Sequence, residues 1–131
     1  MKTLLLCVVF LTLFSCSKEK LDQTIPGTWT IVESNIGDGT GYTIQTYPPS
    51  SEITLEFGPS GQLLLTGTNP GTAMSPLWEY DRYEIRKDNT IHFYQSTGSK
   101  EMEAYYSLDG HLFLNYLRAR CGYEERFLRV K

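Results

Sequence analysis

Apolar residues recur at every second position through most of this chain, and a period of two commits a sequence to strands. Ile53, Leu55 and Phe57 face one way while Glu52, Thr54 and Glu56 face the other. Similar runs cover Thr28 to Ser34, Tyr42 to Tyr47 (more weakly), Gln62 to Thr66, Trp78 to Arg86, Thr90 to Gln95, Met102 to Leu108, Leu112 to Leu117 and Tyr123 to Val130. Turn chemistry separates them: Pro59-Ser60-Gly61, Lys87-Asp88-Asn89, Thr97-Gly98-Ser99, Asp109-Gly110 and Cys121-Gly122. Asp109-Gly110 is the clearest hairpin signal, because both residues tolerate the positive φ of a tight two-residue turn. The pattern predicts an all-β fold with about eight consecutive antiparallel strands, either an up-and-down β-barrel or a β-sandwich. No amphipathic helix of useful length is expected.

Two details refine that expectation. Trp78 and Tyr80 share one face whereas Tyr83 and Ile85 occupy the other, so a β-bulge near Asp81-Arg82 is expected to reconcile them. Gly67 to Leu77, rich in Gly, Thr, Asn, Pro and Ser, is longer than most hairpin loops and is placed to cover a barrel mouth or to serve as a plain surface connection.

The beginning of the chain follows a different logic. Lys2 supplies a positive charge, Leu4 to Phe14 form an apolar run too short to span a bilayer, and Leu13-Phe14-Ser15 leads into Cys16. This segment resembles a bacterial lipoprotein signal peptide, whose cleavage leaves the cysteine as an acylated first residue. The expected organisation is a signal peptide over 1–15, the acylated Cys16 with a polar tether over 16–26, and one β-barrel domain over 27–131. Cleavage would leave 116 of the 131 residues, with 11 Lys and Arg against 15 Asp and Glu. That length suits one domain, and the mild acidity gives no reason to expect nucleic acid. The implied location is the bacterial outer membrane, lipid-anchored and facing either the periplasm or the exterior. In the Bacteroidetes-type lipoproteins that the signal resembles, acidic residues after the cysteine direct surface display; here Lys18 and Lys20 interrupt Glu19 and Asp22.

Gly27-Thr28-Trp29 on the first strand, a meander of short strands and a basic residue on the last together resemble the lipocalin pattern, and more closely the small lipocalin-like domains of Bacteroidetes lipoproteins. The resemblance implies that Gly27 and Trp29 close one end of the barrel, with Arg126 or Arg129 packed across the indole. It also implies a small apolar or amphipathic ligand. Alternation places Leu55, Trp78, Phe93, Tyr106, Leu114 and Tyr116 inside, where they either line a pocket or fill it. Tyr94 and Tyr105 face outward, as a platform for a protein or glycan partner. A solid-core accessory protein, acting through its outer strands and loops on an envelope partner, is the alternative.

An enzyme is not expected. The two histidines, His92 and His111, stand in no metal-ligand spacing with carboxylates or cysteines, so neither a metal nor another cofactor is implied. Gly58-Pro59-Ser60-Gly61 lacks a nucleophile elbow's spacing, and no helix follows Gly37-Asp38-Gly39-Thr40-Gly41 to make a phosphate loop. Glu101 and Glu103 share a strand face, the ordinary arrangement of solvated charges. Cys7 leaves with the signal and Cys16 is committed to the anchor, so Cys121 has no disulfide partner.

Overall fold

The computed structural model describes residues 24–37, 40–48, 53–67, 75–117 and 122–130. The expected signal segment, Cys16 and most of the expected tether lie outside the described residues, as does Cys121. Nine strands follow one another: β1 Gly27–Gly37, β2 Tyr42–Thr46, β3 Thr54–Phe57, β4 Leu63–Thr66, β5 Arg82–Ile85, β6 Thr90–Tyr94, β7 Glu101–Leu108, β8 His111–Tyr116 and β9 Tyr123–Arg129. All strand pairs are antiparallel, in the order β4-β3-β1-β9-β8-β7-β6-β5, with β2 also on β1.

The nine strands make eight staves. β2 pairs with the second half of β1, Glu33 to Gly37, and β3 pairs with its first half, Gly27 to Thr30, so the two short strands lie end to end along one edge of β1. β9 covers the opposite edge of β1, from Trp29↔Arg129 to Ile36↔Tyr123. On the far side β4 meets β5 through a Gln62↔Arg82 bridge, with Leu63 N–H donating to Asp81 O and Tyr83 N–H to Gly61 O, each at 2.9 Å. The sheet is thereby an up-and-down barrel, nearly closed, and not a two-sheet sandwich.

The Trp78 to Arg86 run departs from expectation. Pro76–Glu79 is a single 3₁₀ turn, and β5 begins only at Arg82. Ser75 caps the turn by accepting from Leu77 N–H, and Pro76 enters it at a position where a missing N–H costs nothing. The change of face between Tyr80 and Tyr83 is therefore the exit from a turn, and no bulge at Asp81-Arg82 is required. The register shift falls instead in β1, between Ile31 and Glu33. There the inward positions pass from Trp29 and Ile31 to Ser34.

Inside, Leu55, Phe57, Leu77, Ile91, Phe93, Leu112, Leu114 and Phe127 are all buried, as is Ile25 just ahead of β1. Aromatic contacts thread this core: Tyr83 meets Phe57 edge-on at 4.9 Å, Phe57 meets Phe93 at 6.4 Å, Phe93 meets Tyr116 at 6.5 Å, and Tyr116 meets Tyr123 at 5.6 Å. The chain of rings leads from a dry end to a polar one.

Candidate functional site

The dry end is built around Trp29. Its indole N–H donates to Ile25 O at 2.9 Å, and the Arg129 guanidinium lies 4.5 Å from the ring centroid. Arg129 also donates to the carbonyls of Pro26 and Thr24, which ties the chain entering β1 to the end of β9. Gly27 makes room for this: its φ is +137°, and a Cβ there would stand 2.8 Å from Arg129 Nη1. Arg126, the other basic candidate, faces outward and pairs with Glu33 at 2.9 Å.

Glu125 dominates the opposite end. It follows Tyr123 and precedes Phe127 on the inward face of β9, and only 2% of it is exposed. Its described partners are neutral hydroxyls on three elements. Ser75 Oγ donates at 2.9 Å and Tyr116 OH at 2.5 Å to Oε2, while Tyr123 OH donates at 3.3 Å to Oε1. Beside them Ser34, fully buried on β1, donates to Tyr47 OH at 3.2 Å, and it also hydrogen-bonds Tyr123. Two serines, three tyrosines and one carboxyl group thus converge within an otherwise apolar barrel.

Burial sets the electrostatics of this cluster. Desolvation pushes the Glu125 carboxyl up from 4.5 to about 7, against the pull of hydrogen bonds from Tyr116, Ser75 and Tyr123. Desolvation and the adjacent carboxylate raise Tyr116 and Tyr123 above the usual phenol range, so both remain donors. The site is a proton-holding hydrogen-bond cluster near neutrality, able to present either a carboxylate acceptor or a carboxylic acid donor.

The sequence-derived lining residues fall on both sides of this division. Leu55, Phe93 and Leu114 are packed in the core, where they fill space, and Tyr116 joins the Glu125 cluster. Trp78 and Tyr106 are half-buried against that core. Ser75 to Leu77, the described end of the long Gly67 to Leu77 connection, is packed into the barrel, with the Leu77 side chain entirely enclosed. Sequence reasoning did not single out Glu125, Ser75, Ser34 or Tyr47. The available signal was a charged residue at an inward position of an alternating strand.

Two outer clefts lined by described residues stand apart from this cluster. Arg86, His92, Glu101, Met102 and Glu103 line one of about 130 Å³. In it Arg86 pairs with Glu103 and approaches His92 Nδ1 at 2.6 Å, and His92 Nε2 lies 3.2 Å from Glu101, so both glutamates and both ring nitrogens are engaged. The other, of about 330 Å³, lies over β7 and β8. Among the described residues no group of His, Cys, Asp and Glu could hold a metal ion, and no helix is long and apolar enough to cross a membrane. Comparison with protein-family models, with curated proteins and with solved structures finds no match for this chain.

Proposed function

We propose that the protein is a cell-envelope lipoprotein, anchored in the bacterial outer membrane through an acylated Cys16, whose barrel binds a small amphipathic molecule at its Glu125 end. The observation that carries the binding reading is the buried Glu125 cluster. A carboxyl group taken out of water and met, among the described residues, by hydroxyls alone is expensive, and apolar residues of similar volume would be at least as stable there. A chain concerned only with stability would fill this end as it fills the other. The polar head of a ligand would exchange hydrogen bonds with Glu125, Tyr116 and Tyr123, and its apolar part would take the place of Leu77 and the adjoining Trp78. The apolar packing of Leu55, Phe93 and Leu114 confines the ligand to that end.

The test is native mass spectrometry of the lipoprotein extracted from envelope membranes. Retention of a small molecule by the wild type, and its loss on Glu125→Gln with the fold intact by circular dichroism, is the expected result. A barrel empty after extraction and after exposure to envelope lipid and metabolite extracts would overturn the binding reading. Cys16→Ser should abolish labelling by radioactive palmitate and release the chain from the membrane fraction; persistence of either would refute the anchor.

A further inference from the structure

The larger outer cleft supports a site of its own. It is lined by Tyr105, Ser107, Phe113, Asn115 and Glu124, together with the chain at Tyr106 and Leu114. Tyr105 and Phe113 are 51% and 40% exposed, so both rings present apolar faces to solvent. The register sets them diagonally, since Tyr105 pairs with Asn115 and Ser107 with Phe113, so the two rings stand on opposite corners with polar side chains between. Asn115 Nδ2 donates to Glu124 Oε1 at 2.8 Å, which fixes both planar groups while each keeps a further acceptor oxygen. These residues sit on β7, β8 and β9, paired along their lengths, so the cleft is held in shape by the sheet.

We propose that this cleft is a carbohydrate site, taking a neutral sugar ring between Tyr105 and Phe113. The C–H face of a pyranose carries slight positive charge and packs on the negative face of an aromatic ring. Its hydroxyls, which radiate around the rim of the ring, need donors and acceptors at the edge, and Asn115, Ser107 and Glu124 supply both. The lining also argues against other ligands. Glu124 repels phosphate and uronate, and Arg126, which stands opposite Phe113 on β9, is already paired with Glu33 at 2.9 Å, so nucleic acid and anionic glycans are disfavoured. A volume of about 330 Å³ lies within the range of roughly 300–1,000 Å³ typical of small-molecule sites, whereas the His92 cleft falls below it. A protein partner would need about 800 Å² on each side, far more than one such cleft offers.

The site is independent of the barrel interior, so its test does not depend on the binding reading above. Full-length lipoprotein in detergent is titrated calorimetrically with cellohexaose, maltohexaose and hexagalacturonate. Binding of at least one neutral hexasaccharide is expected, about tenfold or more weaker for Tyr105→Ala and for Phe113→Ala, and unchanged for Leu64→Ala, an exposed residue on β4 outside the cleft. Melting temperatures of the exposed-site variants should match wild type, which separates lost contact from lost fold. No binding at about 10 mM sugar, equal binding of hexagalacturonate, or binding indifferent to both aromatic substitutions would each overturn the proposal.

Discussion

Around Trp29 the barrel is sealed by apolar packing and a guanidinium laid over an indole, whereas around Glu125 it holds a carboxyl group whose described partners are hydroxyls. Both ends are buried, yet burial has opposite effects. At the Trp29 end it removes apolar surface from water and stabilises the fold. At the Glu125 end it removes a potential charge from water and costs stability, and on that cost the proposed binding site rests.

The largest effect should come from the dry end. Phe57→Ala removes a ring in contact with Tyr83 and Phe93, and chemical denaturation should register a loss of about 3–5 kcal/mol. A loss below about 1 kcal/mol would mean that this end is loosely filled, and the contrast between the ends would fail.

Glu125 should show the reverse behaviour through pH. With a folded value near 7 against an unfolded 4.5, the folded state holds the extra proton between those limits. The contribution of Glu125 to stability is therefore most favourable below about pH 4.5 and declines by about 3 kcal/mol as pH rises to about 7. Subtracting the curve for Glu125→Gln cancels other titrating groups, including Asp81 and Asp88, whose hydrogen bonds from Ser96 and Thr90 lower their own values. A flat difference across that interval would show that Glu125 bears its charge without penalty and would remove the physical basis of the polar site.

Ser75→Ala sharpens the contrast at smaller scale, because one hydroxyl both caps the 3₁₀ turn and donates to Glu125. A loss of about 1–2 kcal/mol is expected, with the difference curve of Glu125 displaced to higher pH because a donor to its charged form is gone. Unchanged stability and titration would detach the turn from the cluster. The smallest effects concern the two arginines of β9. Arg129→Met should cost about 0.5–2 kcal/mol by uncovering Trp29, and Arg126→Met, which breaks a half-exposed pair with Glu33, about 0–1 kcal/mol. The opposite ranking would reverse their roles.

Much of the barrel was legible because alternation is a local property. Leu112, Leu114 and Tyr116 point inward, and Phe113 and Asn115 outward, since successive Cβ atoms on a strand must take opposite faces. The Trp78 to Arg86 run misled for a local reason too. Ser75-Pro76 carries the cap and entry residue of a turn, but the aromatic residues that follow give an alternation that resembles a strand. The polar cluster was harder to see: Glu125 and Ser75 are fifty positions apart, and Ser34 and Tyr47 lie on either side of the β1–β2 connection.

The sequence by itself determined an all-β chain of successive antiparallel strands and the inward residues where alternation is unbroken, as in β3 and β8. Tertiary structure alone decided that β2 and β3 share one edge of β1, that the register shift lies at Ile31 to Glu33, and that Arg129 and not Arg126 covers the indole. It alone brought Ser75, Tyr116 and Tyr123 onto Glu125. The division has a physical cause. Side-chain direction along a strand follows from neighbouring dihedrals, whereas register and closure depend on how all the staves pair around the barrel, and only that closure determines which distant hydroxyls meet a buried acid.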